Sequence, residues 1–152
     1  MSTPAVMIGQ QLMECFHQLL RLVRSRIEPR GLTGPQFGIL RHLAQAGPLT
    51  PTDLSQRLIV TPGNITGPLQ RLVGLKLIEM RRSPKDRRKI HVAITQAGRQ
   101  KVAEITPQLE DLLQSCLNPI STADQREFTR LLTLLNQQLH SATIHLKGSH
   151  PE

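Results

Sequence analysis

Residues 49–95 read LTPTDLSQRLIVTPGNITGPLQRLVGLKLIEMRRSPKDRRKIHVAIT. Within this stretch, Thr50-Pro51-Thr52-Asp53 has the form of a helix start. Thr50 suits the N-cap, Pro51 the first helical position, where the amide hydrogen would go unused, and Asp53 at N3 can close a capping box. The helix so opened is short and is expected to bury Leu54 and Leu58. Thr61-Pro62 repeats the start signal three residues after Leu58, and the next helix is expected to bury Ile65, Leu69, Leu72 and Val73. A short helix, a tight turn and a second helix opening on Thr-Pro make a helix-turn-helix pattern. Leu77-Ile78-Glu79-Met80 and Ile90-His91-Val92-Ala93-Ile94 then alternate or run apolar at strand spacing, around the proline-containing segment 81–89. Two strands joined by a basic loop directly behind a helix-turn-helix form a wing.

The charge is concentrated in the same place. Residues 49–95 hold nine basic side chains, including Arg57 and Arg71, against three acidic ones, and RRSPKDRRK at 81–89 alone carries six of the nine against Asp86. Clustered cations suit a polyanion, because neutralising phosphates releases counterions. With no Trp or Tyr and three Phe in 152 residues, the chain lacks the aromatic platforms that hold single strands, which favours duplex DNA. A membrane surface would call for a basic amphipathic helix, whereas this run contains a Pro and a turn.

Outward from the centre, the chain returns to helical spacing on both sides. Residues 6–28 place apolar groups at Ile8, Leu12, Phe16, Leu19, Val23 and Ile27, ended by Pro29 and Gly31. Thr33 can cap a helix through Phe37, Leu40 and Leu43, closed by Gly47-Pro48. After the wing, residues 95–117 are helical in period, with Pro107 expected to kink or interrupt them. Ser121 with Asp124 caps a last helix carrying Phe128, Leu131, Leu132, Leu135 and Leu139. The fold expected is mostly α, an α+β winged helix-turn-helix of about six helices with a two- to three-stranded wing. Its parts are a dimerisation helix over 6–30, a DNA-binding domain over 31–95, dimerisation helices over 96–146 and a flexible tail from 147. The terminal helices carry more Leu than a small winged domain can cover alone, so a homodimer is expected.

Other classes have little support. The chain has no P-loop, no G-x-G-x-x-G, no H-E-x-x-H and no nucleophile elbow, so no enzyme is expected. Cys15 and Cys116 are too few for a disulfide framework or a four-thiolate zinc site, and are expected as reduced, partly buried thiols. The six histidines form no compact ligand motif, so neither metal nor cofactor is expected. No run approaches the about 18 apolar residues that span a bilayer, and the N-terminus lacks the marks of a signal peptide, so a cytoplasmic location is expected.

These segments resemble the MarR family of bacterial and archaeal regulators. Asp86-Arg87-Arg88-Lys89 followed by Ile94-Thr95-Gln96-Ala97-Gly98 looks like the family's wing. Pro62-Gly63-Asn64-Ile65-Thr66-Gly67 with Arg71-Leu72 looks like its recognition helix, and Gly31-Leu32-Thr33 with Gln36-Phe37 like the opening of its second helix. The order of elements agrees over roughly residues 6–145. The resemblance implies a dimer on a pseudo-palindromic operator, a recognition helix in the major groove and a wing over the minor groove. It also implies release by a small aromatic or anionic effector, for which His17, Arg21 and His42 are lining candidates.

The residue chemistry agrees. Asn64 and Gln70 can read adenine through paired hydrogen bonds, Thr66 can meet a thymine methyl, and Gly63 and Gly67 allow close backbone approach. Arg57, Arg71 and Lys85 suit phosphates, while Arg87, Arg88 and Lys89 stand at or just past the tip of the wing. The family pattern selects Arg88 for the minor groove, with Asp86 as the carboxylate that orients it. Three departures stand out. Pro68 should bend the recognition helix or split off its first turn. Lys76 stands where the family has Gly, so Gly74 is expected to end the helix early and spare Lys76 a left-handed backbone. Cys15 occupies the first helix, as in the oxidant-sensing branch, but lacks that branch's tyrosines. Oxidant sensing through Cys15 is the alternative, and a winged-helix module that binds only protein is a further one.

Overall fold

The computed structural model describes residues 3–82 and 89–148. The element order is α1 (Pro4–Ile27), a 3-10 turn (Glu28–Arg30), α2 (Gly34–Ala46), α3 (Pro51–Arg57), α4 (Pro62–Gly74), β1 (Ile78–Arg82), β2 (Ile90–Ile94), α5 (Gln96–Leu117) and α6 (Thr122–Gly148). This is the mostly helical winged architecture expected.

The capping boxes explain where α2 and α3 begin. The Thr33 side chain accepts from the Gln36 amide while Gln36 Oε1 accepts from the Thr33 amide at 2.8 Å. At α3, the Asp53 amide donates to Thr50 Oγ1 and the Thr50 amide to Asp53 Oδ2, both at 3.1 Å. Each box satisfies two helix-terminal donors that would otherwise be orphaned. Thr61 is also an N-cap, but its side chain takes no capping bond.

Two units divide the chain, Met1–Asp111 and Leu112–Glu152. The core of the first is built where α2, α3, α4 and the hairpin meet, around Ile39, Leu40, Leu43, Leu54, Leu72 and Val92, with Ile27 from α1 and Ile105 from α5 joining it. β1 and β2 pair antiparallel in the register Ile78↔Ile94, Met80↔Val92 and Arg82↔Ile90. Leu49 adds one bridge to Val92, which is all there is of a third strand among the described residues. In the second unit, Ser121 caps α6 through the Asp124 amide at 3.1 Å. Phe128, Leu131, Leu132 and Leu134 lie exposed along α6, as do Met13, Phe16, Leu19 and Leu22 along α1 in the first unit.

Several expectations need correction. Helices α4 and α5 run unbroken past Pro68 and Pro107, so neither proline interrupts its helix or splits off a turn. Val73 is 40% exposed rather than buried, because the helical period lets only one of the adjacent Leu72-Val73 pair face the core. Cys15 and Cys116 are free thiols, exposed in the single chain rather than partly buried.

Candidate nucleic-acid interface

Helix α4 is held by one stripe and presents another. Ile65, Leu69 and Leu72 are buried, while Gly63, Asn64, Thr66, Gly67, Gln70 and Arg71 are all exposed. At 3.6 residues per turn, Gly63, Gly67, Gln70 and Gly74 lie directly opposite the buried stripe, with Asn64 and Arg71 on one flank and Thr66 on the other. Helix-interior glycines cost about 0.5–1 kcal/mol each relative to alanine. A Cβ at Gly63, Gly67 or Gly74 would meet nothing within 4 Å, so no packing inside the chain requires their smallness. The outer face of α4 is thus bare, polar and open to close approach.

Both ends of α4 are fixed by strained turns. Before it, Ile59 takes φ 54 and is 87% exposed, with the Val60 amide bonded to the Ser55 carbonyl at 3.0 Å. After it, the Lys76 amide reaches Val73 O at 2.9 Å and the Leu77 amide reaches Leu72 O at 3.0 Å, a Schellman arrangement closed by the buried Leu72 and Leu77. The helix does end at Gly74, but the left-handed residue is still Lys76, at φ 58. The six-to-one bond fixes the reversal two residues beyond the helix, so ending at Gly74 does not spare it.

That turn is tied to the wing. The Thr95 hydroxyl donates to Lys76 O at 2.8 Å and its amide to Leu77 O at 3.0 Å, while the same hydroxyl accepts from the Gly98 amide at 3.1 Å. A Cβ on Gly98 would stand 2.2 Å from Leu77 O, so only glycine lets α5 pack this closely. The Thr95-x-x-Gly98 motif therefore joins the exit of α4, the end of β2 and the start of α5. On the wing itself, Lys89 is exposed, and Lys85, Asp86, Arg87 and Arg88 lie outside the described residues. An open hollow of about 520 Å³ between the start of α3 and the start of β2 is lined by Thr50, Pro51, Thr52, Asp53, Lys89 and Ile90.

One cationic feature was not singled out from the sequence. Arg81 is highly exposed on β1 and is held by Glu79, two residues back on the same face, at 2.9 Å. The double arginine in the sequence gave the charge, but not this orienting carboxylate. Arg57 is exposed at the end of α3, close enough to His42 to act on it. Burial first, then Arg41 and Arg57, holds His42 below its ordinary pKa. His42 lies one turn beyond Gly38, whose missing Cβ faces the Leu58 side chain at 2.9 Å, so this side of α2 is turned towards the end of α3. His17, its ring 6.1 Å from that of Phe16, and Arg21 are exposed on α1. Among the described residues, no group of three or more His, Cys, Asp or Glu is placed to hold a metal ion, and no helix is long and apolar enough to cross a membrane.

The sequence profile of the MarR family matches residues 30–89. The transcriptional repressor YetL of Bacillus subtilis is 30% identical over 112 residues, covering 72% of this chain and 67% of its own. The chain belongs to the MarR family. Two solved MarR-like structures bear on the interface. BpsR of Bordetella bronchiseptica, described for the regulation of its DNA binding by 6-hydroxynicotinic acid, matches with a TM-score of 0.80 at 25% identity, covering 90% of this chain and 97% of BpsR. A cysteine-to-serine variant of Escherichia coli MarR complexed with operator DNA matches with a TM-score of 0.79 at 26% identity, covering 86% and 94%. As a member of the MarR family, the chain is a winged-helix, DNA-binding regulator of transcription.

Proposed function

We propose that this MarR-family chain is a homodimeric repressor that binds a pseudo-palindromic duplex operator and is released by a small effector. The observation that carries this is the outer face of α4, where Asn64, Thr66, Gln70 and Arg71 surround glycines that intrachain packing does not require. Asn64, Thr66 and Gln70 read base edges in the major groove, and Arg71 and Arg57 hold phosphates. Lys85, Arg87 and Lys89 add phosphate contacts along the wing, and Arg88, oriented by Asp86, enters the minor groove. That the MarR neighbour is complexed with operator DNA supports the operator as the ligand.

The dimer is supported by the apolar side chains left exposed along α1 and α6. The effector is a small aromatic or anionic compound, supported by what regulates BpsR. His17 and Arg21 offer a ring and a cation for such a ligand, and His42 is the third candidate. A cytoplasmic location follows from the function. Selecting bound fragments from a genomic duplex library, then screening phenolic and carboxylate compounds for release, tests the whole. Failure to retain any duplex at low salt would sink the DNA reading. Full retention in the presence of every compound would sink the effector. Release by peroxide that Cys15→Ser abolishes would move the regulation to oxidation.

A further inference from the structure

Arg30 is the most heavily engaged cation among the described residues, and nothing in the DNA-reading surface uses it. It closes the 3-10 turn after α1, and its side chain is 23% exposed. Its guanidinium spreads over two elements. One terminal nitrogen donates to the Arg26 carbonyl in the last turn of α1 at 2.6 Å, and the other donates to Gln108 Oε1 on α5. Nε is buried and lies 3.4 Å from Glu104 Oε1, an ion pair without hydrogen-bond geometry. The α5 partners are themselves held: Gln108 Nε2 donates to the Glu104 carbonyl, and Lys101 Nζ lies 3.1 Å from the other Glu104 oxygen.

The junction does not need this clamp for adhesion. Ile27, three residues before Arg30, and Ile105, beside Glu104, are both fully buried in the core. Apolar contact is non-directional and tolerates rotation and sliding. A planar guanidinium with acceptors on two elements fixes direction. The clamp's separate contribution is therefore the angle between α1 and α5 at the base of the winged module.

We propose that Arg30 is a positioning residue for operator binding: by locking the end of α1 to α5 it sets the half-site spacing that the dimer accepts. This rests on the dimeric DNA reading above. In that dimer the terminal helices carry the interface, and two recognition helices must meet half-sites about one helical turn apart. A junction free to rotate would still bind, but would no longer discriminate between spacings.

The test uses the full chain and the selected operator, with its half-site spacing shortened or lengthened by one and two base pairs. Binding is followed by fluorescence anisotropy and assembly by sedimentation. The unaltered protein should show a sharp optimum. Arg30→Gln and Gln108→Ala should each bind the optimal spacing roughly 3- to 30-fold more weakly, with little loss at the flanking spacings and an unchanged dimer mass. A flattened spacing profile is the signature a merely structural role would not give. Equal loss at every spacing, or an unchanged profile, overturns the proposal. Gln108→Ala leaves Arg30 paired with Glu104, so it decides alone if Arg30→Gln does not fold. If the unaltered protein shows no dimer or no preferred duplex, the DNA reading fails first and this proposal with it.

Discussion

Ile59 and Lys76 bracket α4 with left-handed backbones that neither side chain favours. Such a conformation costs about 1–2 kcal/mol for an L-residue, and more for a β-branched one such as Ile59. Because Ile59 is almost wholly exposed, Ile59→Gly should lose little packing and raise stability by about 0.5–1 kcal/mol, after allowing for the greater freedom of glycine in the unfolded chain. A lower urea midpoint in this variant would contradict the strain argument. His42 gives a second residue-scale expectation. Its native pKa lies below the ordinary 6.5, so as pH falls through 6.5 the unfolded chain takes up the proton first. Stability should be independent of this group above that pH and decline from there down to the lower native value. His42→Gln should flatten that part of the acid limb, and an unaltered limb would show that another group titrates there. On the wing, Arg88→Ala should weaken specific binding by roughly 1–3 kcal/mol. Asp86→Ala should weaken it too, although it removes a negative charge near DNA. Tighter binding by Asp86→Ala at unchanged stability would mean that the wing acts only as a diffuse positive patch.

Elements began where short-range chemistry dictated and departed from expectation where distant contacts intervened. The Thr50–Asp53 box needs only four consecutive residues, so it could be read from the sequence in full. Lys76 could not, because the reversal after α4 is set by bonds from Leu77 and Thr95 and by the burial of Leu72 and Leu77. Pro68 shows the same competition: Ile65, Leu69 and Leu72 anchor α4 on both sides of it, and the helix stays whole. Pro68→Ala should restore a donor to the Asn64 carbonyl and raise stability, by at most about 3 kcal/mol. No change in melting temperature would show that α4 accommodates the ring without cost. Gly98→Ala should have the opposite sign. Its Cβ would press on the Leu77 backbone, which cannot move aside as a flexible side chain does. A loss of about 1–3 kcal/mol is expected, the usual scale of overpacking, and near-wild-type stability would mean that α5 shifts freely.

For the whole molecule, the apolar stripes along α1 and α6 predict a dimer in dilute solution. Sedimentation giving a stable monomer at micromolar concentration would defeat it, and a footprint on a single asymmetric half-site would defeat the two-fold geometry. The polar face of α4 was legible because one period of 3.6 sorts anchors from exposed groups. The Arg30 clamp was not, since Gln108 lies 78 residues further along the chain and no local pattern joins the two.

The bonds that tie the hairpin to the rest of the module run from Thr95 to Lys76 and Leu77 and from Leu49 to Val92 in the middle of β2. Changes confined to residues 83–89 leave every one of them in place. The segment between the strands can therefore change from one lineage to the next without loosening these bonds, while the module it springs from stays intact.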